Sequence, residues 1–185
     1  MVMNMVTRRD FLKFAAGTAL TAMAPSAFAR TALQQPKDGE RILRFQNTHT
    51  GEKISATYWA DGSYIPDEIA VINRVLRDHR SNEVMAMDHK LYDLLYTLQQ
   101  KVEKSGNYQV ISGYRSPASN AKLRGASNGV AKRSLHMQGK AIDIRLPGVE
   151  LKHLRQAALD LRAGGVGYYP KSNFIHVDTG RPRFW

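Results

Sequence analysis

The stretch Ser134-Leu135-His136-Met137-Gln138-Gly139-Lys140-Ala141-Ile142-Asp143 constrains this chain most, because it sets an imidazole and a carboxylate seven residues apart. It runs into Ile142-Asp143-Ile144-Arg145-Leu146, where apolar and polar residues alternate. A period of two predicts a half-buried strand, with Ile142, Ile144 and Leu146 toward the core and Asp143 and Arg145 on the other face. A second such run, Phe174-Ile175-His176-Val177-Asp178, puts Phe174, His176 and Asp178 on one face. If the two strands are neighbours in one sheet, His136, Asp143 and His176 converge. The chain has no cysteine, so a metal here must be held by His, Asp and Glu. Two imidazoles and one carboxylate with an open fourth position suit a catalytic zinc ion. A His-x6-Asp pair alone is a weak signal, and a purely structural role for all three residues stays open. Of the other histidines, His79, His89 and His153 lie in or beside helical segments among charges and read as structural, while His49 falls in a turn.

The first thirty residues differ in kind from the rest. Thr7-Arg8-Arg9-Asp10-Phe11-Leu12-Lys13 precedes an apolar run from Phe14 to Ala24, and Pro25-Ser26-Ala27-Phe28-Ala29 offers a small-x-small cleavage pattern. A basic start, a short apolar run and an A-x-A end predict a secretory signal over residues 1–29. The paired arginines resemble a twin-arginine signal, which makes the twin-arginine translocase an expected partner and the periplasm the expected location. The apolar run is short for a membrane span, so no stable span is expected after cleavage; an uncleaved anchor is the alternative. The full chain carries a formal charge of +11. Residues 1–29 hold three basic residues and one acidic, so 24 basic and 15 acidic remain and the net charge is +9. Export argues against nucleic acid as the anionic partner and favours a carboxylate-bearing wall polymer; a merely solvated basic surface is the other reading.

Residues 30–40 are polar, contain Pro36 and Gly39, and read as a flexible arm before one domain over 41–185. Arg41–Asn47 and Lys53–Trp59 flank turn residues and predict a β-hairpin. Pro66-Asp67-Glu68 opens a helix with Ile69, Ile72, Val75 and Leu76 at helical spacing. Leu91, Leu94, Leu95 and Leu98 mark a second helix from about Asp88 to Lys104. A short strand at Tyr108–Ile111 leads into Ser112-Gly113-Tyr114-Arg115-Ser116, and a helical turn is expected over Ser119–Arg124. Leu151, Leu154, Ala157, Ala158 and Leu161 give a third helix closed by Gly164-Gly165, followed by strands at Val166–Tyr169 and Asn173–Asp178. Helices interleaved with short strands and close hairpins predict an α+β fold: a small antiparallel sheet flanked by helices.

Three ordered motifs, Ser112-Gly113-Tyr114-Arg115-Ser116, Ser134-x-His136-x-x-Gly139-x-Ala141-x-Asp143 and Phe174-x-His176, resemble the zinc peptidase superfamily that holds the D-Ala-D-Ala peptidases, murein endopeptidases and the hedgehog domain. Asn47-Thr48-His49-Thr50-Gly51-Glu52 and Gly164-Gly165-Val166-Gly167-Tyr168-Tyr169-Pro170 are similar to its twin-arginine-exported murein endopeptidase K group, and the resemblance runs over about 41–185. It implies Zn²⁺ held by His136, Asp143 and His176. It implies an oxyanion-stabilising or carboxylate-holding role for Arg115, for which a structural ion pair is the alternative. Ser134, Tyr114 and Ser116 would support the site or the substrate, a plain turn residue being the alternative for Ser134, and Tyr168 and Tyr169 would line the groove, core packing being the alternative for one of them. The D-Ala-D-Ala peptidases place a glutamate base three residues before the last histidine; here that position is Asn173, so Asp178 is left either to take the proton, directly or through water, or to orient a ligand, and His49 is a more remote candidate for the base. The implied function is hydrolysis of peptide cross-links between peptidoglycan stem peptides during wall growth. A zinc-containing wall-binding module without catalysis and a D-Ala-D-Ala carboxypeptidase are the alternatives.

Overall fold

The computed structural model describes residues 39–126 and 129–185. The signal and most of the arm lie outside them. The elements run β1 (Arg41–Asn47), β2 (Lys53–Ala60), β3 (Ser63–Tyr64), α1 (Pro66–Val75), α2 (His89–Lys101), β4 (Asn107–Ser112), α3 (Pro117–Ala126), β5 (Ala141–Arg145), α4 (Leu151–Leu161), β6 (Gly165–Tyr169), β7 (Phe174–Asp178) and β8 (Arg183–Phe184). Short 3₁₀ turns at Leu135–Gln138 and Pro170–Ser172 precede β5 and β7.

The strands form one sheet in the order β3-β2-β1-β4-β5-β7-β6-β8. This corrects the expectation of a small antiparallel sheet: among the described residues it has eight strands, and β1–β4 and β6–β8 pair in parallel. The chain traverses β2, β3, α1 and α2 between β1 and β4, and so long a crossover permits parallel pairing. The α+β character holds, because the remaining pairs are antiparallel hairpins or neighbours.

Each helix forms where its sequence supports one. Pro66 opens α1 beside Asp67 and Glu68, and Arg74 lies in its last turn, so both ends complement the helix dipole. Asp88 caps α2 by accepting from the Lys90 N–H at 3.0 Å. The apolar stripes Ile69, Ile72 and Val75, then Leu91, Leu94, Leu95 and Leu98, then Leu154, Ala157 and Ala158 join one core with Leu43, Phe45, Tyr58, Tyr108, Ile142, Ile144, Ile175 and Val177 of the sheet. Leu91, Leu95, Leu98, Ile142, Ile144 and Ile175 are fully buried, and each contributes about 2 kcal/mol of apolar burial. Since Ile142, Ile144, Ile175 and Val177 serve this core, the alternate residues Asp143 and His176 lie on the face turned away from α1, α2 and α4.

The glycines at 164 and 165 do something other than close α4. Arg162, in the left-handed region at φ 52°, ends that helix. Gly164 instead lies against the Asp178 main chain, and a Cβ there would run into its carbonyl oxygen. A Cβ on Gly165 would strike the Asp178 carboxylate and the Arg183 guanidinium. Gly164→Ala is therefore expected to cost about 3 kcal/mol through overpacking against backbone. Thermal melting should show this as a Tm lower by roughly 10 °C; an unchanged Tm would refute the close packing.

Candidate metal centre

β5 and β7 are antiparallel neighbours, and their register sets Asp143 directly opposite His176. Cross-strand partners share a face, so this pairing alone brings the two side chains together. His136 reaches them from elsewhere. It lies not on a strand but in the 3₁₀ turn Leu135–Gln138, capped by Ser134, whose Oγ accepts from the His136 N–H at 3.3 Å. Gly139 ends the turn at φ 67°, and a Cβ there would press on the Ala86 carbonyl, which accounts for the glycine.

Both imidazoles have one nitrogen committed. The Nδ1–H of His136 donates to the Gly113 carbonyl at 2.7 Å, because a carbonyl can only accept. The Nε2–H of His176 donates to Asp178 Oδ2 at 2.9 Å. The nitrogens left over, His136 Nε2 and His176 Nδ1, carry lone pairs. They face each other at 3.2 Å, and Asp143 Oδ1 lies 3.3 Å from the first and 2.9 Å from the second. The three side chains are buried, and the candidate ligand atoms all lie within 4.8 Å of one another. Three electron-rich atoms in so small a space repel one another unless a cation or a proton sits among them. Their mutual field acts on both the carboxyl and the imidazole. Burial raises the Asp143 pKa, but His136 and His176 outweigh it and hold the carboxyl well below the usual range. Burial lowers the His176 pKa, but hydrogen bonds to Asp143 and Asp178 outweigh it and the net shift is upward. Two nitrogens and one carboxylate oxygen are the donor set of a catalytic zinc site with a position left open, so the residues fit the ion.

Asp178 has no free lone pair. Its side chain is fully buried, and five N–H groups donate to it: Gly165 N, Gly180 N, both terminal nitrogens of Arg183 and His176 Nε2. Burial raises its pKa, but these partners outweigh it, so the carboxyl lies far below its ordinary value. It touches His176 through the ring nitrogen remote from Asp143. That geometry orients an imidazole and does not suit a proton acceptor.

Arg115 stands beside the cluster, with Nη2 3.7 Å from Asp143 Oδ2. Its bonds to Ser112 Oγ and Asn120 Oδ1 are long, at 3.3 and 3.4 Å, and its Nε is buried with no partner among the described residues. Burial lowers its pKa, and Asp143 opposes that shift. A buried guanidinium with donors to spare is ready for an anionic group. The loop carrying it is tied down at each residue. Tyr114 N donates to the Leu76 carbonyl at 2.7 Å, Arg115 N to the His136 carbonyl at 3.2 Å, and Ser116 N to Asp78 Oδ2 at 2.9 Å. Gly113 is glycine because a Cβ would meet the Leu76 main chain. The Tyr114 side chain joins the hydrophobic core. Ser116 Oγ accepts from Ser119 N at 3.3 Å and so caps α3. Asn173, at the position of the glutamate in the D-Ala-D-Ala peptidases, has φ 53° in the tight turn between β6 and β7, a conformation asparagine tolerates well. His49 stacks on His79 at 3.8 Å and its Nε2 bonds the Ile111 carbonyl, so it is occupied elsewhere.

Sequence reasoning missed Gly113 and Asp78, which seat the Arg115 loop, and Arg183 and Trp185, which close over the site face. The motif Ser-Gly-Tyr-Arg-Ser drew attention to its arginine, whereas its glycine carbonyl sets the tautomer of His136.

Two imidazoles and a carboxylate brought together beside one face of the sheet, with a guanidinium alongside, could hold a metal ion. The chain belongs to the peptidase family described as Peptidoglycan L,D-endopeptidase MepK, which matches residues 35–185. It is 44% identical over 179 residues to a peptidoglycan L,D-endopeptidase MepK of Escherichia coli strain K12, an alignment covering 96% of both chains. The same identity and coverage relate it to the protein of that description in Shigella flexneri. A probable peptidoglycan L,D-endopeptidase MepK of Haemophilus influenzae is 45% identical over 146 residues, covering 78% of each chain.

Proposed function

We propose that this protein is an exported zinc endopeptidase that hydrolyses L,D peptide bonds in the cross-links of peptidoglycan. The observation that carries the reading is the convergence of His136 Nε2, His176 Nδ1 and Asp143 Oδ1, each presenting a lone pair to the others. The relatives, described as acting on this polymer, supply the substrate class and the L,D configuration of the bond. Peptidoglycan lies outside the cytoplasm, in keeping with the signal read at residues 1–29 and with twin-arginine export to the periplasm. Among the described residues no helix is long and apolar enough to cross a membrane. The single domain would cover 41–185.

His136, Asp143 and His176 would hold the zinc ion. Bound there, zinc supplies Lewis-acid polarisation of a peptide carbonyl and an acidified water. Arg115 offers its spare N–H groups to the oxygen that gains charge as the amide is attacked, or to a nearby substrate carboxylate. Asp178 fixes His176 in the tautomer that leaves Nδ1 free, and Gly113 does the same for Nε2 of His136. Ser134 holds the turn that carries His136. The wider basic surface favours a polymer rich in carboxylates.

The test uses the protein without residues 1–29 on purified cross-linked peptidoglycan, with muropeptides followed by mass spectrometry. L,D-linked dimers should disappear and monomers accumulate; a chelator should stop this, and added Zn²⁺ should restore it. Release of free D-alanine without loss of dimers would identify a carboxypeptidase instead. Folded, zinc-loaded protein that binds peptidoglycan and changes no muropeptide would identify a binding module.

A further inference from the structure

Beyond the metal centre, the sheet face holds an aromatic assembly that the chemistry above does not use. Gly167 pairs with His176 across β6 and β7, and Tyr169 pairs with Phe174, so Tyr169 shares a face with His176. The Tyr169 and Phe174 rings stack at 4.6 Å. The segment after β7 returns along the far side of β6. β8 pairs with it in parallel, and the pairing continues through Trp185, whose N–H donates to the Val166 carbonyl at 3.3 Å and whose carbonyl accepts from Tyr168 N at 3.1 Å. This fixes the Trp185 backbone and lays its indole over Gly167. A Cβ on Gly167 would come within 2.7 Å of that ring. The indole lies 5.2 Å from the His176 ring, and Trp185 is 48% exposed, so a large hydrophobic residue beside the metal centre faces solvent. The Arg183 guanidinium, which grips Asp178, covers the ring at 5.0 Å.

The hydrogen bond within this assembly is informative. The indole Nε1–H donates to the Tyr169 hydroxyl oxygen at 2.8 Å. A phenol has one proton to donate, and indole can only donate, so the Tyr169 proton must point elsewhere. Among the described residues no protein acceptor for it is found.

We propose that Tyr169 and Trp185 form a substrate-positioning surface beside the metal centre: the Tyr169 hydroxyl donates to a backbone carbonyl of the cross-linked stem peptide, and Trp185 is a positioning residue that aims it. The ligand class is an extended peptide, which offers regularly spaced carbonyls and short side chains to an aromatic surface. Glycines at 165 and 167 belong to the same device, since they clear the space in which Arg183 and Trp185 lie over the site. The inference rests on the endopeptidase reading.

The experiment measures KM and kcat on a purified L,D-linked muropeptide dimer for the zinc-loaded wild type, Tyr169→Phe, Trp185→Phe and the double variant, with zinc content and Tm for each. Tyr169→Phe keeps the stacked ring and loses one hydrogen bond to substrate, so KM should rise about three- to tenfold with kcat nearly unchanged. Trp185→Phe keeps an aromatic ring but removes the aiming N–H together with part of the ring surface, and should move KM in the same direction. Because the two act through one bond, the double variant should be no worse than the poorer single one. Wild-type KM in Tyr169→Phe, a fall in kcat in place of a rise in KM, or strictly additive effects would each overturn the proposal. If the wild type itself leaves the dimer intact, the endopeptidase reading has failed, a result distinct from all of these.

Discussion

Replacing His176 with alanine is expected to abolish cross-link hydrolysis while leaving the domain folded. The change removes Nδ1, one of the three lone pairs that meet at the centre, and leaves Asp143 facing His136 alone. A two-ligand remnant holds zinc far more weakly, and the lost transition-state stabilisation amounts to several kcal/mol. The corresponding fall in kcat/KM is on the order of 10³-fold or more. Folding should survive, because Asp178 keeps four of its five donors and the core strand positions Ile175 and Val177 are untouched. Three measurements on one preparation decide the matter: dimer hydrolysis, zinc content by atomic emission, and the thermal melt. A variant that melts normally, holds no zinc and is inactive supports the centre as drawn. One that keeps more than about a tenth of the wild-type rate would remove His176 from the chemistry, since a ligand's loss cannot be so mild.

Much of this centre was legible in the sequence, for a reason particular to strands. Alternation with period two assigns residues to faces, so Ile142, Asp143 and Ile144, and Ile175, His176 and Val177, could be sorted without knowing the neighbours. The pairing of Asp143 with His176 then needed only that the two strands be adjacent. What sequence could not supply were contacts between segments distant along the chain. The Gly113 carbonyl that sets the His136 tautomer lies 23 residues away, and Asp78, which seats the Arg115 loop, lies 38 from Ser116. The parallel pairs were likewise invisible, because local patterning describes a strand's faces and not its partner's direction. The glycines at 164 and 165 looked like a helix stop because that is glycine's commonest use after a helix. Their actual reason is the room needed by Asp178 and Arg183, which no local window contains.

The sequence left Asp178 either to take a proton or to orient a ligand, and Asp178→Asn separates the two. The wild-type carboxylate is acceptor-only and receives five donors. An amide of the same shape can present its oxygen to Gly165, Gly180 and one Arg183 nitrogen, but its NH2 then faces His176 Nε2. Two donors cannot share that contact, so Nε2 must become the acceptor and the imidazole proton moves to Nδ1. Nδ1 is the atom that meets Asp143 and His136, and a proton there occupies the place of the cation. The expected result is therefore a loss of zinc affinity of about 10- to 100-fold, the range for removing the group that orients a metal-bound histidine. Competition against a chromophoric chelator measures it directly. Activity should fall with zinc occupancy and recover substantially when excess zinc is supplied, because the ion can still displace the proton at a cost. If Asp178 were instead the proton acceptor in hydrolysis, Asp178→Asn would bind zinc as tightly as the wild type and stay inactive at saturating metal. The buried carboxylate with every lone pair engaged argues for the first outcome, since a base that accepts a proton needs an open lone pair and a path to the water it deprotonates.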